Sequence, residues 1–353
     1  MNNKKYTQLL YGLLEKLKVK SGEPHTHFSM GKPYGCFNIT KIDDQNLFSL
    51  YYEKALREKS ELYLLEKHKS NYGPIIIDID INYQSNNEDR KYNYEHINKI
   101  IVYYNKIIDK YLDLKKDDFY AFVTEKKSPS ICSGNNYKDG FHILYPNIWV
   151  NNKIQFIIRD EVVKMAIKDN IFNDINPSNK YEDIFDIAVI QKNGWFLYGS
   201  GKPKKEKYEL THIIDKDFKK CNKSEFLGNK DLLIESLSIR SKGKNDLINI
   251  KSNISQTIID EKYSKLKVGS KQKKKKKKRE TSKEYSEEDI DRARILVKML
   301  DYDRCDDFHE WINLGLCLHN IDDSLLEDWI EFSSNSDKFI VGDCEKRWSK
   351  FRN

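Results

Sequence analysis

The run Pro74-Ile75-Ile76-Ile77-Asp78-Ile79-Asp80-Ile81 constrains the fold of this chain more than any other stretch. Its β-branched, apolar character is that of a buried strand, which ties it to a sheet. Two carboxylates interrupt it at i and i+2. In a strand such side chains leave the same face, while Ile77, Ile79 and Ile81 point the other way into a core. Like charges held that close are costly unless a cation neutralises them. The spacing suits two divalent ions about 3.5–4 Å apart, the arrangement used in phosphoryl and nucleotidyl transfer. The plainer reading is a strand end whose carboxylates cap the following loop.

With 353 residues the chain can bury one full core or two. No apolar run approaches the ~20 residues that a membrane span needs, so a soluble protein without a membrane partner is expected. The opening Met1-Asn2-Asn3-Lys4-Lys5 leads into an amphipathic helix and not into a signal peptide. Cys36, Cys132, Cys221, Cys305, Cys317 and Cys344 are scattered and never form Cys-x-x-Cys. That pattern fits a reducing compartment and argues against a zinc finger or disulfide framework.

The net charge of +7 has an uneven source. Lys265, Lys267, Lys271, Lys273, Lys274, Lys275, Lys276, Lys277, Lys278 and Arg279 fall in one stretch without an acid, and the rest of the chain is slightly acidic. Residues 265–286 lack apolar periodicity and read as a flexible linker. A nuclear-import signal, a nucleic-acid arm (Lys273–Arg279) and a merely solvated tether all fit its lysines.

Strand-like runs at Ile75–Ile81, Tyr120–Thr124, Phe141–Tyr145 and Phe185–Ile190 alternate with helical patterns near 94–112 and 154–168. Two further helices are expected at 4–19 and, highly charged, at 44–70. Together they indicate one α/β or α+β domain through about residue 230. From Glu287 the pattern is helical: Asp289–Leu300, Asp307–Leu318 and Ser324–Phe332 carry apolar residues at helical spacing. Trp311, Trp329 and Trp348 are expected to be core residues there.

Two segments join the paired aspartates. In Lys138-Asp139-Gly140-Phe141-His142-Ile143, His142 faces away from Phe141 and Ile143 and so can share the face of Asp78 and Asp80. A structural histidine is the plainer alternative. In Ile184-Phe185-Asp186-Ile187-Ala188-Val189-Ile190 a single aspartate again breaks an apolar run. Beyond it, Gly199-Ser200-Gly201-Lys202-Pro203 puts a lysine on a turn.

Asp-x-Asp, then His, then Asp in an apolar run, then Gly-Ser-Gly-Lys resembles the archaeo-eukaryotic primase superfamily. The likeness is to the N-terminal primase part of the primase-helicases of poxviruses and other large nucleocytoplasmic DNA viruses. Thr26-His27-Phe28-Ser29, Gly73-Pro74 before the aspartates, and Leu237-Ser238-Ile239-Arg240 add to it, and the tail around Trp311, Trp329, Cys344 and Trp348 resembles the helical primase C-terminal domain. The resemblance implies an α+β fold. Its catalytic core would be RRM-like, an antiparallel or mixed sheet with an added N-terminal α/β module, and a small all-helical domain would follow. It divides the chain into a catalytic domain at 1–242, a basic linker at 243–286 and the helical domain at 287–353. It implies that Asp78, Asp80 and Asp186 are catalytic and hold Mg²⁺ or Mn²⁺ in a two-metal site. His142, Lys202, Lys138 and Ser200 would bind the phosphates of an NTP or dNTP. The family's Ser two residues before the His is Gly140 here, and Trp195 and Phe196 stand where many relatives carry an arginine.

The expected function is primer synthesis on a single-stranded DNA template, in a viral replication factory of the host cytoplasm or in the nucleus. No Gly-x-x-x-x-Gly-Lys-[Ser/Thr] occurs, so the superfamily 3 helicase fused in relatives is expected as a separate or excised partner. The alternative is a catalytically weak single-strand-binding module that loads such a helicase. A nicking enzyme built on His25-Thr26-His27 and a tyrosine is the third reading; Thr is not the hydrophobe that motif needs, and 22 tyrosines nominate none.

Overall fold

The computed structural model describes residues 4–20, 22–266 and 285–351. They form two compact units, one through Leu266 and one from Lys267. The lysine run 273–279 lies outside the described residues.

The first unit opens with α1 (Lys5–Lys16), short strands β1 (Lys18–Val19), β2 (His27–Ser29) and β3 (Gly35–Phe37), and α2 (Ile42–Arg57). Leu10, Leu13 and Leu14 of α1 recur at helical spacing and are buried against Phe48, Tyr52 and Ala55 of α2. The charged helix expected over 44–70 ends at Arg57. Past Ser60 the chain turns to alternate apolar residues and becomes β4 (Leu64–Glu66).

Strand β5 (Tyr72–Gln84) is followed by α3 (Tyr94–Tyr111), β6 (Ala121–Glu125), β7 (Ser130–Ser133), the long β8 (Asn136–Asn151) and α4 (Asn152–Lys168). Then come α5 (Tyr181–Ile184), β9 (Trp195–Phe196), β10 (Glu209–Ile214), α6 (Ser224–Gly228) and α7 (Lys230–Ser236). Two antiparallel sheets result. The smaller has the order β1-β3-β2-β4-β9; the central one runs β10-β6-β8-β5, with β7 added on β8. The β5–β8 ladder carries one irregularity: Pro74 faces Trp149 but Ile75 faces Tyr145, so Pro146, Asn147 and Ile148 have no partner on β5, and Ile148 is fully buried.

The central sheet has two unlike faces. Ile75, Ile77, Ile79 and Ile81 are buried with Phe141 and Ile143 under α3 and α4. On the other face Ile76, Phe122 and Leu144 pack with Trp195, Leu237 and Ile239. Asp78 and Asp80 lie on this second face, where apolar cover ends.

The run 185–190 is not the strand expected from its apolar residues. Phe185 makes a single bridge to Ile79, and the Asp186 side chain then accepts from Ala188 N at 2.8 Å, starting a 3₁₀ turn over Ile187–Ile190. An aspartate that caps the backbone ahead of it diverts the chain from a ladder. The first unit also extends past the boundary at 242. Leu247 and Ile250 bridge to Trp149 and Leu112, and the helical residues 256–266 bury Ile259 in the core of the first unit.

The described residues of the second unit are helical: Glu287–Lys298, Phe308–Ile321, Leu326–Ser333 and Asp343–Trp348 surround a fully buried Trp329. Trp348 is buried beside it, and Trp311 stacks on it at 5.0 Å and donates to Ser333 Oγ at 2.7 Å. The six cysteines are unpaired. No helix of the described residues is long and apolar enough to cross a membrane.

Candidate active site

In the β5–β8 ladder Asp78 stands opposite His142 and Asp80 opposite Gly140. Both carboxylates therefore project from one face, beside an imidazole. Asp186 arrives from the adjoining segment, its N–H donating to Asp78 O at 2.9 Å. One oxygen from each of Asp78, Asp80 and Asp186 lies within 4.8 Å of the others.

The charges are incompletely matched. Lys138 Nζ donates to Asp80 Oδ2 at 2.8 Å, and Asn193 Nδ2 donates to Asp186 Oδ2 at 3.4 Å. His142 Nε2 sits 3.4 Å from Asp78 Oδ1 without making a hydrogen bond, which leaves that oxygen buried and unpartnered. Burial, then the charges of Asp80 and Asp186, hold the Asp78 carboxyl well above the usual carboxylate range. Burial pushes His142 down to about 3, helped by Lys126, Lys138 and Lys202, so its imidazole is neutral. For Lys138, burial opposes the ammonium, but the bond to Asp80 and the carboxylate field outweigh it and raise its pKa.

A donor set of three oxygens, one buried and unsatisfied, suits a hard divalent cation. Oxygen ligands of this kind bind Mg²⁺ or Mn²⁺. The residues fit the metals that the sequence motif implies.

The carboxylates open onto a cleft of about 810 Å³. Lys126, Lys138, Lys202 and Lys205 line it, with Trp195, Tyr208 and Phe28. His142 is held between two rings: Tyr208 stacks at 3.7 Å and Trp195 packs at 4.7 Å. Trp195, where the family resemblance leads one to expect an arginine, is thus a wall behind the imidazole.

The sequence placed Asp78, Asp80, Asp186, His142, Lys138 and Lys202 in one site, and the fold brings all six together. Ser200 is the exception. Its hydroxyl bonds Tyr52 Oη at 2.8 Å and accepts from Leu64 N at 3.0 Å in the interior. Ser200 is buried and its hydroxyl is spent on joining β4 to the turn, so it does not join the phosphate-binding set. Gly140 also gains a reason: a Cβ there would meet Ile79 O at 1.7 Å, so the missing side chain reflects close backbone approach.

Tyr208, Lys126 and Asn193 were not anticipated. Lys126 follows directly on β6 and Tyr208 directly precedes β10, two neighbouring strands of one sheet. That pairing was the signal available, but it requires the strand order.

The chain belongs to the archaeo-eukaryotic primase (AEP) family. Residues 26–214 match the family described as C962R protein N-terminal AEP domain, and residues 293–353 match Primase C terminal 2. Among full-length relatives, "Putative helicase L207/L206" of Acanthamoeba polyphaga mimivirus is 34% identical over 96% of this chain and 38% of its own length. "Putative helicase 184R" of Invertebrate iridescent virus 6 is 25% identical over 97% and 38%, and "Putative helicase 121R" of Invertebrate iridescent virus 3 is 23% identical over 92% and 37%. The chain therefore spans less than two fifths of these relatives. Both family matches support a primase function.

Proposed function

We propose that this chain synthesises primers on single-stranded DNA by metal-dependent nucleotidyl transfer, as the primase part of a viral replication machine. The observation that carries the reading is the convergence of Asp78, Asp80 and Asp186, with one buried carboxylate oxygen unsatisfied. Asp78, Asp80 and Asp186 would hold Mg²⁺ or Mn²⁺, which when bound lowers the pKa of a coordinated hydroxyl and offsets charge on a triphosphate.

The remaining chemistry belongs to the side chains. Lys202 and Lys126 face the cleft as point charges for the phosphates of an NTP or dNTP. His142, neutral and fixed between Trp195 and Tyr208, presents a hydrogen bond to the same group. Lys138 holds the Asp80 carboxyl in place through its hydrogen bond. The helicase names of the relatives support a helicase as partner, and the host cytoplasm is the expected site of action.

The test is primer synthesis on homopolymer single strands with labelled nucleotides and Mn²⁺ or Mg²⁺. Wild type should give products and Asp78→Asn/Asp80→Asn none. No product from wild type, with tight strand binding retained, would replace this reading by the helicase-loading module.

A further inference from the structure

A second set of basic groups lies along one seam beside the catalytic face. It comprises Lys192, His68, Lys67, Lys69, Arg240 and Lys242. They come from the segment after β4, the segment after α7 and the turn after Asp186; Val189 and Ile239 share the cluster on the second face of the central sheet, and Glu66 of β4 accepts from Ile239 N. A chain of contacts connects them. His68 Nε2 donates to Asn193 O at 2.9 Å, and Asn193 in turn donates to the Asp186 carboxylate. Arg240 Nη1 donates to Lys67 O at 2.7 Å, and Lys69 Nζ donates to Lys242 O. Lys69 also lies over the rings of Tyr72 and Trp149.

Among the described residues, none of these side chains is paired with a carboxylate in an ion pair. Two acids lie nearby, and each accepts hydrogen bonds from other groups while acting on Lys69 only through its field. Glu66 is buried, accepting from Ser238 Oγ at 2.6 Å and Ile239 N at 2.7 Å; burial raises its pKa and favours its neutral form. Asp246 Oδ2 accepts from Gly243 N at 2.6 Å. Burial, and then the charge of Arg240, lower the affinity of Lys69 for protons, with Glu66 and Asp246 acting the other way; burial first and Arg240 after it do the same at His68. Such crowding costs stability unless a polyanion relieves it.

We infer that this seam is the track for the phosphate backbone of the single-stranded template, leading from the catalytic carboxylates across the junction of the two sheets. Lys126 and Lys202, which line the cleft, are the cations proposed for a triphosphate, whereas a line of cations that starts beside Asn193 and runs to Lys242 suits an extended chain of phosphates. The inference rests on the primase reading for the word template; strand binding itself is independent of it.

The experiment is equilibrium binding of a fluorescent oligo(dT) to the full chain by anisotropy, without metal or nucleotide, across a salt series. Lys69→Gln/Lys192→Gln/Lys242→Gln should lower the log–log salt slope by about 2 and weaken binding roughly 100-fold at 0.1 M salt, since each single-strand phosphate contact contributes about 0.7 to the slope. Lys192→Gln with Lys69→Arg and Lys242→Arg should recover all but about one contact's share, which separates charge from packing. Lys106→Gln, exposed on α3 beyond the opposite face of the central sheet, should bind as wild type. An unchanged slope in the triple variant would overturn the track, as would a loss of equal size in Lys106→Gln or a stronger effect on duplex of the same length. Because no nucleotide is present, failure here leaves the catalytic reading to its own assay.

Discussion

Placing at position 140 the serine that the family resemblance implies, by Gly140→Ser, should damage this protein. The Cβ it adds would stand 1.7 Å from Ile79 O, 2.8 Å from its carbonyl carbon and 3.3 Å from Asp80 Cα. Since real contacts of this kind stay beyond 3.0 Å, β8 must retreat from β5 by about 1.3 Å at the pair facing Asp80. Strands in register sit about 4.8 Å apart, so a retreat of that size breaks the adjacent ladder bonds. Two lost hydrogen bonds at about 1 kcal/mol each and overpacking strain of about 1–3 kcal/mol give a loss of roughly 3–5 kcal/mol. Urea unfolding of Gly140→Ser and Gly140→Ala measures it. Both variants should fall by similar amounts, because the clash belongs to Cβ and not to the hydroxyl. A Gly140→Ser protein as stable as wild type, or far more stable than Gly140→Ala, would refute the close-approach argument.

In a chelator, Asp78→Asn should be more stable than wild type by roughly 1–2 kcal/mol, because an amide is free of the cost that burial and the charges of Asp80 and Asp186 impose on ionising this carboxyl; an unchanged or lower melting temperature would contradict the electrostatics described here. Arg90→Ala should cost about 3–5 kcal/mol, since Arg90 bonds Asp139 at 2.8 Å and Glu125 at 3.0 Å and the Asp139 side chain is 1% exposed; a loss under 1 kcal/mol in chemical denaturation would count against it. Burial, and then Arg240, hold His27 down at about 3. The unfolded chain therefore takes up this proton first, near pH 6.5, and stability from this group falls as pH drops from 6.5 towards 3. His27→Phe should remove on the order of 3 kcal/mol of the stability lost between pH 7 and 4, and a curve parallel to wild type would exclude His27 as its source.

Much of the site was written in short-range pattern. Asp78 and Asp80 declare a shared face because strand periodicity is two, and His142 declares the same face by its alternation with Phe141 and Ile143. What escaped depends on competition between distant groups. Asp186 was read in a strand because its neighbours are apolar, but its own side chain captures Ala188 N and bends the chain. Ser200 sat in a phosphate-like phrase, yet Tyr52, far away in sequence, claims its hydroxyl. Residues 243–266 looked like linker because lysines and asparagines dilute the few apolar positions, Leu247, Ile250 and Ile259, that dock them.

The irregularity at Pro74 and Ile75 bears on how this gene can drift. Side chains alternate, so a single residue gained or lost between Asn136 and Tyr145 would turn His142 and its neighbours over, sending imidazole inward and Phe141 or Ile143 towards the aspartates. The three residues without a partner on β5, Pro146–Ile148, interrupt that dependence. A length change at the half-buried Pro146 or Asn147 would leave the catalytic half of the ladder its parity, while Ile148 stays fixed in the core. Surviving insertions should therefore gather at Pro146 and Asn147, leaving the stretch from Asn136 to Tyr145 constant in length.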